Sequence, residues 1–343
     1  MRPLFLLSLP RSGSTMVQRV LAAHPEVATV SEPWLLLPPL YATRIEGTRA
    51  EYSHEMAAGA LHDFCEALPG GREDYRAAVR DFATALYERA GGGGAAYFLD
   101  KTPRYHWVAG ELADVFPDAR FVFLWRHPLS VMASFLDTFR AGRFEPYNFA
   151  SDLFDGVANL TAARERLGRR AHAVRYEDLV VAGGERHWRG LFDHLELEFD
   201  PTALERFADI ELRGRYGDRS PRRRIVGDSL DAWRSKASTR VGNAWCRRYI
   251  RWIGRERMAA MGYDHDAELR AVAAVPARAA GVADAARLAL SWAAHQRRRR
   301  ALRVPEGPRP VGPPTDPAAA AAKPRPGRSG PARPPSRGGA RRP

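Results

Sequence analysis

The chain has 343 residues, 45% of them hydrophobic, two cysteines and a formal charge of +13. That length carries one α/β domain of roughly 250 residues with helical insertions, and a core that needs no covalent staples. Cys65 and Cys246 lie far apart in sequence and make neither a disulfide framework nor a zinc spacing, which fits a reducing compartment.

Residues 3–9 predict a buried parallel strand, an apolar run too short for a signal-peptide core or a spanning helix, so the reading is a cytoplasmic protein. Pro10 ends the strand, and Arg11, Ser12, Gly13, Ser14 and Thr15 make a tight loop that opens a helix over 14–23. A strand, a small-residue loop and a helix start turn backbone N–H groups toward a bound anion, here with Arg11 as a permanent cation. The nucleoside-triphosphate loop G-x-x-x-x-G-K-[ST] needs a Lys, and none follows Gly13, which disfavours a magnesium-dependent ATPase. For this loop taken alone, an ordinary Ser-capped turn is the plain alternative.

A short strand over 27–30 leads into Ser31-Glu32-Pro33-Trp34. Residues 51–90 carry helical spacing, with Leu61, Phe64, Cys65 and Leu68, then Val79, Phe82, Ala83 and Leu86, as apolar faces, and the glycines at 91–94 break the second helix. This predicts a helical insertion beside the sheet. Strands follow over 96–99, 120–125 and 171–176, with helices starting near Arg104, Pro128 and Asn148. The βα alternation predicts a doubly wound parallel sheet, with Arg11, Lys101, Arg126 and the Tyr176-Glu177-Asp178 corner converging outside the carboxyl ends of the strands.

Helices are expected over 187–195 and 202–209, followed by a basic, Gly-containing loop over 213–228 that is a candidate lid. Further helices are expected near 229–236, 243–261 and 277–302, with Trp245, Trp252 and Met261 as core. Residues 297–343 carry thirteen Arg or Lys against Glu306 and Asp316, a net +11 that leaves only about +2 for the rest. The basic excess is thus a property of the tail, not of the folded part. Pro and Arg dominate 304–343, which predicts disorder. The tail suits anionic lipid headgroups, nucleic acid or an acidic partner, and Leu288, Leu290 and Trp292 beside the basic block favour peripheral membrane attachment.

Three spaced motifs, PRSGST after the first strand, DKTPRYH after a middle strand and WRHPLSVMASF later, resemble the cofactor elements of sulfotransferases dependent on 3′-phosphoadenosine 5′-phosphosulfate (PAPS). Through PRSGST, HPEV and the S-E-P segment the chain is most similar to the tyrosylprotein and related bacterial branch. The resemblance covers roughly 3–265 and implies a P-loop nucleotide-kinase-like α/β fold, a parallel sheet flanked by helices. On that basis 1–265 is the catalytic domain, 266–303 a basic helical extension and 304–343 the tail. The resemblance also implies PAPS as donor, adenosine 3′,5′-bisphosphate (PAP) as product and no metal. By it the Arg11–Thr15 loop would hold the 5′-phosphosulfate, Arg126 and Ser134 the 3′-phosphate, and Lys101 would lie against the bridging oxygen. Lys236, which shares GDSLDAWRSKAST with Ser229 and Trp233, would be a further donor contact.

Sulfuryl transfer passes, like phosphoryl transfer, through a loose in-line transition state stabilised by placed cations and N–H groups. Arg11 and Lys101 would supply the neutralisation a metal otherwise gives. A base must take the acceptor's proton, and Glu32 is the first choice, since similar enzymes keep a Glu after the second strand; His106, five residues beyond Lys101, is the rival. Each has a plain alternative: a turn-capping Glu32, a helix-face contact for His106, an ion pair of Arg126 with Asp118 or Glu177, a solvated strand-end Lys101. Glu177 and Asp178 read as structural. The acceptor, a sugar, lipid, phenol or peptide hydroxyl, is set by 35–90 and 140–148, which no motif reads. An ATP-using kinase on the same architecture and a catalytically silent nucleotide-binding adaptor are the competing functions.

Overall fold

The computed structural model describes residues 1–217, 230–278 and 282–302. In chain order the elements are β1 (Arg2–Ser8), α1 (Ser14–Ala22), β2 (Val27–Thr29), α2 (Leu37–Ala42), α3 (His54–Glu66), α4 (Arg72–Gly91), β3 (Tyr97–Asp100), α5 (Ala109–Val115), β4 (Arg120–Trp125), α6 (Pro128–Arg140), α7 (Val157–Leu167) and β5 (Ala171–Arg175). After the last strand come α8 (Tyr176–Val180), α9 (Glu185–His194), α10 (Ala203–Arg206), α11 (Trp233–Lys236), α12 (Arg240–Ala260), α13 (His265–Ala273) and α14 (Val282–Ala301). The strands form one parallel sheet in the order β2-β3-β1-β4-β5, a P-loop-like α/β architecture.

The sheet is covered on both faces, which is why β1 reads as a continuous apolar run rather than an alternating one. Phe5 and Leu7 point into a core shared with α5, α6, α7 and α12; Leu4 and Leu6 point into a second core with α1 and α9. The same split runs along β4, with Phe121, Phe123 and Trp125 on the first side and Val122 and Leu124 on the other. The order reverses at β1, whose neighbours β3 and β4 lead away in opposite directions, so the crevice outside its carboxyl end is the natural ligand site.

The predicted strands agree with the observed ones to within one residue. The insertion does form α3 and α4, but its faces differ from expectation: Phe64 and Phe82 are 60% and 50% exposed, while His54, Ala58, His62 and Cys65 make the inner face of α3. The reason is polar. His54 Nε2 and His62 Nε2 bond the carbonyls of Arg44 and Thr43 at 2.7 and 3.0 Å, so two histidines anchor the helix to the loop beneath it. The helix expected near Asn148 begins as a 3₁₀ turn (Pro146–Phe149), widens to a π turn (Ser151–Gly156) and becomes regular only at α7. Three helices were not legible: α2, which carries Pro38 and Pro39 in its first turn, the short α8, read as a polar corner, and α13, whose cap is Asp264 accepting from the Ala267 N–H at 2.6 Å. Trp245 and Met261 are core, whereas Trp252 is 38% exposed. Most of the expected lid, Ser229 and the 304–343 tail lie outside the described residues. Among the described residues no helix is long and apolar enough to cross a membrane.

At the end of β3 the wholly buried Asp100 accepts from Tyr87 (2.6 Å), Tyr105 (2.8 Å) and Thr102 (3.2 Å), tying α4 and the following 3₁₀ turn (Pro103–Trp107) to the sheet. Burial pushes its carboxyl up to about 6, against the three hydroxyl donors and the Lys101 charge. The folded form holds its proton to about pH 6 and an unfolded Asp only to 3.8, so this group favours the fold most below about pH 4. That contribution is lost as the pH rises toward 6, by ~3 kcal/mol. We expect Asp100→Asn to be less stable than wild type in urea unfolding, with the gap widest near pH 4 and narrowing toward pH 6.5; a gap independent of pH would refute this assignment.

Candidate active site

The β1–α1 loop supplies the first part of the site. Arg11 has φ +69° and Gly13 φ +90°, a conformation that costs glycine little and L-residues about 1 kcal/mol or more. Gly13 is the N-cap of α1 and no side chain caps it, so the Ser-capped alternative is not what forms. The first N–H groups of α1 are left for an anion, and no acidic residue sits in its first turn to repel one. Serines 12 and 14 are buried, and Ser14 and Thr15 face the crevice while Ser12 does not.

A second reason keeps glycine at position 13: a Cβ there would stand 2.5 Å from the Tyr176 ring. Tyr176, 2% exposed at the start of α8, also lies under the Arg126 guanidinium at 4.7 Å. Arg126 leaves the end of β4 and donates from Nη1 to the Arg11 carbonyl at 2.8 Å, while Arg11 Nε donates to Ser134 Oγ on α6 at 3.2 Å. Arg11, Gly13, Arg126 and Ser134 are thereby held together, the convergence that strand-end placement predicts. The task of Tyr176 is steric, holding the loop by packing on Gly13 and under Arg126. Its neighbours Glu177 and Asp178 are structural: Glu177 accepts from the His127 N–H (2.9 Å) and the Tyr263 hydroxyl (2.7 Å), and hydrogen bonds from Arg175 hold the Asp178 carboxyl low.

Lys101 and Glu32 form the second part. The Lys101 ammonium, 1% exposed, donates to Glu32 Oε1 at 2.8 Å and lies 3.5 Å from Thr15 Oγ1. Glu32 Oε2 takes the Trp34 indole N–H at 3.4 Å. Trp34 itself is in the left-handed region, φ +55°, pinned by its N–H to Thr102 Oγ1 at 3.2 Å, and Thr102 in turn donates to Asp100. Strain of this kind persists where the surroundings overdetermine it, and here they also fix the carboxylate. A buried charge pair is tolerated because each partner is compensated by the other and by further hydrogen bonds.

The other two predicted residues are placed elsewhere. His106 is 1% exposed and does not line the crevice; its Nε2 is 3.3 Å from Asp152, which also binds Arg104, and burial lowers its pKa, keeping the ring neutral. Lys236 pairs with Asp137 and reaches the crevice only through that carboxylate.

The crevice encloses about 1030 Å³. Arg11, Thr15, Glu32, Arg126, Ser134 and Tyr176 line it, as do Trp34, Phe139, Arg140, Phe149 and Tyr216. Sequence comparison decides the family, since the profile described as "Sulfotransferase family" matches residues 3–201. The chain belongs to the sulfotransferase family. This sulfotransferase is 29% identical over 309 residues to nodulation protein NoeE of Sinorhizobium fredii (strain NBRC 101917 / NGR234), covering 82% of this chain and 68% of that protein. It is similar in structure to the sulfotransferase domain of the Synechococcus PCC 7002 olefin synthase, at 26% identity and a TM-score of 0.45, over 68% of this chain and 88% of that one. It is also similar to mouse sulfotransferase SULT7A1 complexed with PAP, at 12% identity and a TM-score of 0.41, over 79% and 87% of the two chains. Membership makes the chain a transferase, with sulfuryl transfer as its general reaction.

Gly13→Ala in this sulfotransferase puts a methyl group into the Tyr176 ring and forces an L-residue to φ +90°. We expect a stability loss of about 1–3 kcal/mol and a loss of anion binding at the loop. Gly13→Ala combined with Tyr176→Ala should recover part of the stability; no recovery in thermal unfolding would remove Tyr176 as the cause.

Proposed function

We propose that this sulfotransferase moves the sulfuryl group of PAPS to an acceptor hydroxyl, with Glu32 as general base and Lys101 as the cation at the leaving oxygen. The observation that carries the reading is the 2.8 Å Lys101–Glu32 pair beside the uncapped start of α1. It sets a proton acceptor and a fixed cation against one anion cradle. The Arg11–Thr15 loop with its N–H groups would take the 5′-phosphosulfate, and Arg126 and Ser134 the 3′-phosphate. Glu32 receives the acceptor's proton as the new oxygen–sulfur bond forms, and the bond from sulfur to the bridging oxygen breaks in line with it. Lys101 meets the charge that grows on that oxygen, so PAP leaves stabilised. Lys101 cannot serve the leaving oxygen and hold Glu32 equally well, so its transfer to the donor leaves Glu32 Oε1 open to the acceptor. Glu32 is favoured over His106 because it lines the crevice, while the ring of His106 is committed to Asp152.

Two measurements test the reading. In calorimetry without metal, PAP should bind more tightly than ADP, and Arg126→Ala should remove that preference; equal binding of PAP and ADP to wild type would overturn the donor assignment. Glu32→Gln should keep PAP binding yet transfer sulfuryl from PAPS ~10²- to 10⁴-fold more slowly across an acceptor panel. An unchanged rate would pass the role of base to another group.

A further inference from the structure

The last described helix, α14, lies beyond the residues matched to the family and folds back onto the mouth of the crevice. It packs on the 3₁₀ turn Pro146–Phe149, whose Phe149 stacks on Phe135 at 4.6 Å. Its basic end is docked twice: Arg299 lies 3.4 Å from both oxygens of Asp155, and the Leu302 carbonyl accepts from the Gly47 N–H at 3.2 Å. Just before these two anchors Arg298 lines the crevice, together with Arg104 and Arg140.

The three arginines are not equivalent. Arg104 is matched by Asp152 and Arg140 by Glu145, whereas no carboxylate among the described residues lies at ion-pair distance from Arg298. Basic residues in a last helical turn complement the helix dipole, which accounts for arginines at the end of α14 but not for one of them lining the crevice. Arg298 also belongs to a different element from the donor cradle, which is built from the β1–α1 loop, the end of β4 and α6.

We infer that the acceptor carries an oxyanion, a phosphate, sulfate or carboxylate remote from its reacting hydroxyl, and that Arg298 is the residue that reads it. This rests on the donor and base assignment above, since it takes the part of the crevice left by PAPS as the acceptor's. A guanidinium fork suits any of these groups, binds them in two-point fashion and stays charged at all working pH values.

The test uses the full chain saturated with PAP, titrated by calorimetry with inorganic pyrophosphate and, in a parallel arm, with citrate. Pyrophosphate or citrate should bind to wild type, and Arg298→Glu should weaken the probe at least about tenfold while leaving the PAP dissociation constant unchanged; the preferred probe separates phosphate-type from carboxylate-type acceptors. Equal probe affinity in Arg298→Glu, or no probe binding to wild type, overturns the inference. A matching loss of PAP affinity also overturns it, by moving Arg298 into the donor site. Failure of PAP to bind wild type sinks the donor reading instead, and the titration repeated on the free protein still reads Arg298.

Discussion

Arg126 is the tie on which the site depends. Its guanidinium joins three strand ends at once: it leaves β4, binds the Arg11 carbonyl after β1 and covers Tyr176 after β5. Tyr176 in turn fills the space that Gly13 leaves by having no Cβ. A loop with two positive-φ residues would relax to a commoner conformation in isolation. Here it is held because the cation, the ring and the glycine each occupy a position that excludes the alternatives. Parallel strands make this possible, since their carboxyl ends all emerge on one edge of the sheet.

The surroundings of Glu32 and Lys101 are organised by hydrogen bonds in closed sequence. Asp100 takes the hydroxyl of Thr102, Thr102 takes the N–H of Trp34, the Trp34 indole reaches Glu32, and Glu32 holds Lys101, the residue next to Asp100. Two carboxylates and one ammonium therefore share a confined region, and they differ in use. Asp100 is buried among hydroxyl donors and serves the backbone; Glu32 reaches the crevice with an oxygen that only a weak indole contact covers. Environment, not residue type, divides the structural carboxylate from the one proposed as base.

How much of this was legible follows from the range of the forces involved. Strands buried on both faces write their whole length in apolar residues, so β1 and β4 could be read directly, and with them the positions of Arg11 and Arg126. Lys101 and Glu32 were legible as candidates through motif resemblance, but their pairing is a contact across 69 residues that spacing does not encode. Asp100 was missed as an organiser for the same reason: its partner Tyr87 comes from another element, and a lone Asp before a Lys carries no periodic signal. The inner face of α3 was misjudged because a hydrophobic pattern cannot register that His54 and His62 are satisfied by loop carbonyls.

The basic C-terminal block takes on a different meaning once it is located. Read along the chain, Arg297–Arg300 begins a strongly charged tail and suggests a partner outside the fold. In space, Arg299 is bound to Asp155 in the π turn that also carries Asp152, the partner of Arg104 and His106. The widened turn thus commits its two carboxylates, Asp152 to Arg104 and His106 and Asp155 to Arg299 of α14. Near the π turn, Arg104 and Arg299 are thus matched by carboxylates, and Arg298 has none at ion-pair distance among the described residues. On the inference drawn above, Arg298 would both speed the encounter of an anionic acceptor and hold it, and salt would weaken both effects. On the proposed assignments, capture and chemistry fall to elements that the sequence sets almost the whole chain apart.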